Sequence, residues 1–236
     1  MRLHLNGWLG DVWQTVTMPQ TPRWSVVLFD LDGTLANSID LIVASYAYAF
    51  DTVTGRQITR AEACQWIGQT LPVTFFHEDP ANSAALEVAY REYNNAHLDQ
   101  ITPYPGVFQL LDDLRSAGVA TGVVTAKGRD AGEASLQVMG MTGLIPVIVA
   151  RQDTTEHKPH AAPLLAALDK SGASPNQAAY VGDAVWDVMA AQAARMTAIA
   201  VTWGAGVEDE LAALRPDALC HDVAELCDVL LLGTDE

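Results

Sequence analysis

The sequence predicts an α/β protein, a doubly wound parallel sheet core with an inserted all-helical cap domain. From about residue 105 onward, short β-branched runs alternate with segments whose apolar residues recur at helical spacing. Such alternation is typical of a parallel sheet with helices on both faces. Between residues 38 and 102, by contrast, three helical segments follow one another without a strand-like run. A helical domain is therefore expected to interrupt the sheet after its first strand.

The N-terminal part is predicted to supply one strand and then the cap. The apolar run 24–29 predicts the first strand, and the residues before it form an extension that contains Trp8 and Trp13. The cap is predicted to consist of three helices, at 39–53, 59–67 and 83–99. The stiff Thr-Pro-Tyr-Pro-Gly segment at 102–106 marks the return to the sheet. The predicted boundaries are an N-terminal extension, an α/β core in two pieces and a cap: 1–23, 24–37 with 104–236, and 38–103.

The remaining elements alternate along the α/β core. Helices are predicted at 107–116, 129–139, 161–170, 185–194 and 223–231. Strands are predicted at 119–125, 146–150, 178–182 and 197–202. Ligands in this architecture bind beyond the carboxyl ends of the strands. Asp32, Thr125 and Asp183 each lie at or just after the end of a predicted strand, so we expect them at one edge of the sheet.

Composition excludes several classes of function. The formal net charge is −16, from 29 acidic and 13 basic residues, and such a charge repels phosphate backbones and anionic lipid surfaces. We therefore expect neither nucleic acid nor a membrane as a partner. No apolar run approaches the ~20 residues that a membrane span needs. The first 20 residues also lack the continuous apolar stretch of a secretory signal.

The cysteines favour a reducing compartment. Cys64, Cys220 and Cys227 are odd in number and match no zinc spacing. Buried free thiols explain them more simply than a disulfide framework does. We therefore expect a cytoplasmic protein.

The most informative segment is the Asp-Leu-Asp-Gly-Thr run that begins at Asp30, directly after the first strand. Residues i and i+2 of a strand share a face, so the carboxylates of Asp30 and Asp32 point the same way. Neighbouring carboxylates repel each other, and a divalent cation such as Mg²⁺ offsets that repulsion. A turn or a helix cap is the simpler alternative. A calcium loop is excluded, because Thr34 and Leu35 do not fit its pattern. The segment favours metal-assisted phosphoryl transfer.

Three more segments carry polar residues at the same predicted edge. Thr125 offers a hydroxyl to a phosphate oxygen, and Lys158, before Pro159, is one of only three lysines in the chain. An ordinary strand residue and a solvated surface lysine are the simpler alternatives. Asp183 and Asp187 lie four residues apart at a helix start and so face the same side. Asp183 is the better candidate for a metal ligand and Asp187 for its support, although the helix dipole also favours a first-turn acid.

In this order, and with a helical insert after the first, the four segments resemble the haloacid dehalogenase-like (HAD) superfamily of phosphohydrolases. Within it they are most similar to phosphoglycolate-phosphatase-like members with a helical cap. The resemblance covers residues 24–232. It implies a Rossmann-like core, Mg²⁺ as the cofactor, and hydrolysis of a small phosphorylated metabolite.

By that resemblance, Asp30 is the nucleophile that forms an aspartyl-phosphate, and Asp32 is the general acid and then the general base. Mg²⁺ would be held by the carboxylate of Asp30, the backbone carbonyl of Asp32, and Asp183. Lys158 would place a cation close to the nucleophile and the phosphate. Asp187 would orient Lys158 or a metal-bound water.

Phosphate binding is implied for Thr125, through its hydroxyl, and for Ala126, through its backbone N–H. Lys127 is a less clear candidate, because a solvent-facing helix start explains it equally well. Ala126 stands where relatives commonly carry Asn, which leaves the substrate subfamily open. Asp32 separates phosphatases from the dehalogenases, which lack this acid/base, so dehalogenation is not expected.

The cap of such relatives closes over the site and contacts the leaving group. Gly68 and Gln69, in the turn at 67–70, are candidate contacts, and His77 is a further one; a simple helix-ending turn explains the first two equally well. An acidic substrate needs a cation or a hydrogen-bond donor from the cap. The sequence does not show whether any of the three arginines of the cap faces the cleft: Arg56, Arg60 and Arg91. Phosphoglycolate, another small phosphomonoester, a nucleoside monophosphate and pyrophosphate all stay open as substrates.

Two other functions are alternatives to the phosphatase. A phosphomutase of the β-phosphoglucomutase type would need a stable phospho-aspartate and a cap that lets the intermediate turn around. A metabolite-binding regulator would keep the fold without turnover, and it is the least favoured because every charged residue that turnover requires is present. A monomer or a homodimer is expected.

Overall fold

The computed structural model describes residues 22–231. The predicted N-terminal extension, 1–23, with Trp8 and Trp13, therefore falls almost entirely outside the described residues. The end of the predicted core, 232–236, falls outside them as well.

Strands and helices alternate through most of the described chain. The strands are β1 (Val26–Phe29), β2 (Ala36–Asn37), β3 (Thr102–Pro103), β4 (Ala120–Val124), β5 (Val147–Val149), β6 (Ala178–Gly182), β7 (Thr197–Val201) and β8 (Ala218–Cys220). The α-helices are α1 (Ile39–Thr54), α2 (Arg60–Trp66), α3 (Leu71–Glu78), α4 (Ser83–Ala96), α5 (Val107–Ser116), α6 (Arg129–Val138), α7 (Ala162–Ser171), α8 (Val185–Ala193), α9 (Glu208–Ala213) and α10 (Val223–Leu231).

Six strands form one parallel sheet in the order β5-β4-β1-β6-β7-β8. β1 lies between β4 and β6, and Phe29 is in register with Val123 on one side and Val181 on the other. The chain fills one side of β1 before it crosses to the other side. The crevice beyond the carboxyl end of β1 therefore lies at a topological switch point, where ligands bind in open α/β sheets. The predicted fold class is confirmed.

Helices cover both faces of this sheet, so β1 is buried on both sides. Val27 and Phe29 pack with apolar residues of α5, α6 and α10 on one face. Val26 and Leu28 pack with α7 and α8 on the opposite face. Burial on both faces explains why β1 is a continuous apolar run rather than an alternating one. The packing holds the end of β1 rigidly in the middle of the protein.

Helices α1 to α4 form the cap and have a hydrophobic core of their own. Tyr46 makes edge contacts with Trp66, Phe75 and Tyr90, with ring centroids 4.8–5.5 Å apart. Offset and edge geometries of this kind are the favourable ones for aromatic pairs. β2 and β3 pair antiparallel where the chain enters and leaves the cap. This link fixes both connections of the cap beside the turn that follows β1.

Some elements differ from the sequence-based prediction. Five short ones are not predicted, because elements of two to eight residues give too few periodic positions: α3, α9, β2, β3 and β8. α3 also carries Pro72 in its first turn, a position that tolerates proline. α4 ends at Ala96 and a 3₁₀ turn follows at Leu98–Gln100, whereas the sequence predicts one helix to residue 99.

No helix within residues 22–231 is both long enough and apolar enough to cross a bilayer.

Candidate active site

The turn after β1 positions two of the candidate carboxylates. Asp30 follows the strand directly, and its backbone N–H donates to the carbonyl of Val181 on β6 at 2.8 Å. The chain then reverses at Gly33, whose φ of 81° lies in the left-handed region that favours glycine. A Cβ at this position would also overlap the carboxylate of Asp183. Gly33 therefore permits both the turn and the close approach of Asp183.

Asp30 and Asp187 share one buried ammonium group. Lys158 Nζ lies 2.7 Å from Asp30 Oδ1 and 2.7 Å from Asp187 Oδ1, and only 2% of its side chain is exposed. Its third contact is the hydroxyl of Tyr180, at 3.0 Å. All three N–H groups of the ammonium thus have an acceptor. The solvated surface lysine that the sequence leaves open is not what the structure shows.

Burial and neighbouring charges together shift the pKa values of Asp30 and Lys158. Burial raises the pKa of Asp30 to about 7, while attraction to Lys158 opposes the shift and repulsion from Asp187 adds to it. Burial lowers the pKa of Lys158, but attraction to Asp187 and Asp30 outweighs burial, and the pKa lies well above its ordinary value. The charged form of Lys158 is therefore favoured, and it faces two carboxylates.

Asp183 approaches the same group from the end of β6. Its Oδ1 accepts a hydrogen bond from Thr34 Oγ1 at 3.0 Å, and its Oδ2 accepts one from the backbone N–H of Ala205 at 2.7 Å. Burial, followed by repulsion from Asp187 and Asp30, raises the pKa of Asp183 well above its usual value. Two hydrogen bonds thus hold the orientation of a carboxylate that the protein leaves without a cationic partner among residues 22–231.

Three carboxylates could hold a metal ion here. Oxygens of Asp30, Asp183 and Asp187 lie within 4.8 Å of one another. Asp187 is already engaged, because its Oδ1 bonds Lys158 and its Oδ2 accepts from the backbone N–H of Ala184 at 3.0 Å. Asp30 uses only Oδ1 for Lys158. Asp183 accepts hydrogen bonds on both oxygens but, unlike Asp187, has no cationic partner among residues 22–231, so Asp30 and Asp183 are the better ligands. Carboxylate oxygens suit a hard divalent cation. Burial, with repulsion from the neighbouring carboxylates, raises the pKa of both Asp30 and Asp183, and a bound cation would offset that repulsion. The donor set fits Mg²⁺.

Asp32 has partners of its own. Its Oδ1 accepts a hydrogen bond from Ser38 Oγ at 2.6 Å and lies 2.7 Å from Lys127 Nζ. The side chain of Lys127 is only 16% exposed, so Lys127 is part of the site and does not simply face solvent. The two aspartates of the motif therefore have separate cations, Lys158 for Asp30 and Lys127 for Asp32.

The loop after β4 completes the core side of the cleft. Thr125 Oγ1 accepts from the backbone N–H of Lys127 at 3.1 Å, so its O–H is available to a ligand as a donor. Thr125 and Ala126 line the cleft together with Asp30 and Asp32. The methyl side chain of Ala126 forms no hydrogen bond, so only its backbone can serve a ligand.

The cap closes the cleft from the other side. Gly68 and Gln69 line it, beside a group of apolar cap residues: Ile42, Tyr46, Ile67, Leu71 and Tyr90. Gly68 has a φ of 91° and approaches the α/β core so closely that a Cβ there would lie 2.9 Å from Trp186 Cδ1. The cavity has a volume of about 60 Å³. His77 lies instead in a separate surface groove on α3, so the structure does not bring it together with the other candidate residues.

The three cap arginines differ in position. Arg91 lines the cleft and is bonded to Glu87 at 2.6 Å. Arg56 and Arg60 form ion pairs within the cap, with Glu62 and Asp40 among others. A cap arginine without a carboxylate partner is thus not present at this cleft among the residues described.

Several supporting contacts are not among the sequence-based predictions. Thr34 donates a hydrogen bond to Asp183, and Ser38 donates one to Asp32. The positions of these two hydroxyls in or near the Asp-Leu-Asp-Gly-Thr motif were a usable signal for such contacts. Tyr180 bridges Lys158 and Asp187, but a tyrosine in a buried strand is indistinguishable by sequence from an ordinary core residue.

Comparison with known sequences agrees with this geometry. The model of the family "Haloacid dehalogenase-like hydrolase" matches residues 27–201. Pyrophosphatase PpaX of Bacillus pumilus is 35% identical over 212 residues, which cover 89% of this chain and 97% of that protein. Pyrophosphatase PpaX of Bacillus cereus is 33% identical over 209 residues, covering 88% and 97%.

Solved structures share the fold over the same extent. A protein described as a predicted phosphoglycolate phosphatase, from Haemophilus somnus, superimposes with a TM-score of 0.79 at 26% identity and covers 88% of this chain and 98% of its own. A hydrolase from Pseudomonas syringae has the same fold, with a TM-score of 0.79 at 24% identity and coverage of 86% and 96%. These matches extend over the cap as well as the sheet. The chain therefore belongs to the haloacid dehalogenase-like hydrolases, the family that its four motifs indicate.

Proposed function

We propose that this hydrolase is a Mg²⁺-dependent phosphatase that cleaves a small phosphate monoester through an aspartyl-phosphate on Asp30. The observation that carries the proposal is the buried ammonium of Lys158, 2.7 Å from Asp30. It supplies fixed positive charge where an anionic nucleophile must meet an anionic substrate. The relatives named pyrophosphatase and phosphoglycolate phosphatase support phosphoryl chemistry.

The proposed reaction has two displacements. An oxygen of Asp30 attacks phosphorus and the P–O bond to the leaving group breaks, while Asp32 gives a proton to the leaving oxygen. Asp32 then takes a proton from water, whose oxygen attacks the aspartyl-phosphate and releases inorganic phosphate and Asp30. Asp32 has partners separate from those of Asp30, namely Ser38 and Lys127.

The remaining residues bind and orient in this proposal. The positive charge of Lys158 would attract the phosphate, while the hydroxyl of Thr125 and the backbone N–H of Ala126 would donate hydrogen bonds to its oxygens. Mg²⁺ would be held by Asp30, by Asp183 and by the backbone carbonyl of Asp32, and when bound it supplies charge neutralisation for the phosphate. Asp187 would position Lys158 through their 2.7 Å bond.

The cleft favours a small substrate. Its cavity of about 60 Å³ has room for about four to six water-sized groups. Gly68 and Gln69 are the proposed contacts to the leaving group, since both line the cleft from the cap. A phosphorylated metabolite fits this space better than a phosphoprotein does.

The proposed setting is the cytoplasm. Cys64, Cys220 and Cys227 are all free thiols, as proteins of reducing compartments have. The net charge of −16 supports a metabolite rather than nucleic acid as the partner.

A phosphate-release screen over small metabolite esters, with and without Mg²⁺, tests the proposal. Release that requires Mg²⁺ from at least one ester is the expected result. Isomerisation of a sugar phosphate without release would favour a phosphomutase instead. Inactivity over the whole panel would favour a regulator that binds without turnover.

A further inference from the structure

Arg151 is a further cation at the candidate active site. It lies two residues after β5, and its backbone N–H donates to the carbonyl of Lys127 at 2.8 Å. This bond ties the loop of Arg151 to the loop that carries Thr125. The side chain of Arg151 lines the main cleft, and it also lines a small cavity beside Lys158. The positive charge of Arg151 thus lies on the α/β core, on the side of the cleft opposite the cap.

Arg151 is the cation at this site that has no anion. Lys158 has Asp30 and Asp187, and Lys127 has Asp32. Arg151 forms no ion pair within residues 22–231, and its Nε is buried without a hydrogen-bond partner.

An unpaired buried donor is unfavourable, because its lost hydration is not replaced. The chain carries 29 acidic residues and only 13 basic ones, so acidic partners are plentiful. An arginine left unpaired at the cleft of so acidic a protein is placed for an anion that arrives from outside.

We propose that Arg151 binds a second anionic group of the substrate, a carboxylate or a further phosphoryl group, and so selects phosphate compounds that carry one. This inference rests on the proposed phosphatase function. The reacting phosphate already has Lys158 and the proposed metal site for its charge. The planar guanidinium matches carboxylate and phosphoryl oxygens through two parallel hydrogen bonds, and substrates with an uncharged leaving group would leave it unpaired.

Steady-state kinetics of three substrates test the inference. Phosphoglycolate carries a carboxylate, pyrophosphate carries a second phosphoryl group, and 2-hydroxyethyl phosphate has a neutral leaving group of similar size. For whichever anionic substrate the wild type cleaves, Arg151→Ala is expected to lower kcat/KM about tenfold to a hundredfold. The rate with 2-hydroxyethyl phosphate should change by less than about twofold, and Arg151→Lys should retain part of the preference.

Arg115→Ala is the matched control. It also removes one arginine, but Arg115 is exposed on α5 and paired with Asp112, so the preference for anionic substrates should persist. Thermal unfolding checks the fold of each variant. Loss of an unpaired arginine should not lower Tm.

The outcomes separate this inference from the proposed function. Equal losses with all three substrates, or no loss with any, would overturn the role of Arg151 and leave the phosphatase proposal standing. If no substrate is turned over, the phosphatase proposal fails.

In that case, calorimetric titration measures the affinities of the wild type and of Arg151→Ala for pyrophosphate and for inorganic phosphate. Tighter binding of pyrophosphate than of inorganic phosphate that disappears in Arg151→Ala supports the inference. An unchanged ratio of the two affinities overturns it.

Discussion

Lys158 shows how much a single side chain controls at this site. It is the one cation within hydrogen-bond distance of Asp30 among the residues described, and it also holds Asp187. Asp32 is served by a different lysine, Lys127. Removal of one member of a buried ion pair leaves the other charge uncompensated, which is strongly destabilising. We therefore expect substitutions of Asp30 and Lys158 to differ in their effects on the free energy of unfolding and on phosphate release.

Asp30→Asn is expected to reduce phosphate release by about 10³-fold or more, because the amide cannot act as the nucleophile. The fold should persist, since Lys158 keeps Asp187 as its partner and the amide keeps the shape of the side chain. Phosphate release and near-UV circular dichroism measure the two effects. Asp112→Asn, at an exposed acid of α5, is the matched control. Hydrolysis at the wild-type rate by Asp30→Asn would remove Asp30 from its proposed role.

Lys158→Ala is expected to lower the free energy of unfolding by about 3–5 kcal/mol, since Asp30 and Asp187 lose their shared cation. Phosphate release should fall by about 10²-fold as well. Urea denaturation and a phosphate assay measure these changes. Lys170→Ala serves for comparison, because the side chain of Lys170 is 47% exposed. Equal stability of the two variants would show that the ion pairs of Lys158 do not stabilise the fold.

Among the elements, the turn after β1 depends most on one residue type. Gly33 lies at a positive φ and also faces Asp183 of β6, so one position serves both the strand end and the carboxylate cluster. The bounds of other elements follow from local sequence. The predicted bounds of α5, α10 and β6 agree with the structure, because their apolar periodicity is long or uninterrupted. α3 and β8 escaped prediction because they are short and their burial depends on distant partners.

Gly33→Ala should lower stability and Mg²⁺-dependent activity together. The strained φ costs about 1 kcal/mol for alanine, and the overlap with Asp183 adds to it and displaces a proposed ligand. Gly140→Ala measures the cost of the strained φ alone, since Gly140 has a φ of 72° and open space around it. Urea denaturation and the phosphate assay distinguish the two variants. If both lost the same stability and kept full activity, the overlap would have no consequence.

For the whole molecule, excess negative charge collects at one edge of the sheet. Four buried aspartates face two lysines there: Asp30, Asp32, Asp183 and Asp187 against Lys127 and Lys158. The buried positions of these charges limit screening by solvent, so the excess weakens the folded state until a cation neutralises it. The bound cation should thus couple the site to global stability.

Mg²⁺ is expected to raise Tm, since a ligand that binds only the folded state adds about 2.7 kcal/mol at a hundred times its Kd. EDTA should remove both this shift and the phosphatase activity. Asp183→Asn should abolish the shift, whereas the exposed control Asp112→Asn should retain it. Differential scanning fluorimetry over a Mg²⁺ titration provides the measurement. A wild-type Tm that does not respond to Mg²⁺ would contradict the proposed metal site.

The fold class, the family and the positions of the polar residues at the strand ends all follow from the amino-acid sequence alone. Those properties are local: periodicity shows which faces are buried, and Asp30, Thr125 and Asp183 lie next to the strands that carry them. Which lysine pairs with which aspartate depends on the three-dimensional fold, and so does the lack of such a partner for Arg151 among the described residues. Ion pairs across more than 90 residues of chain depend on how the strands are ordered in the sheet, and no local pattern encodes that order.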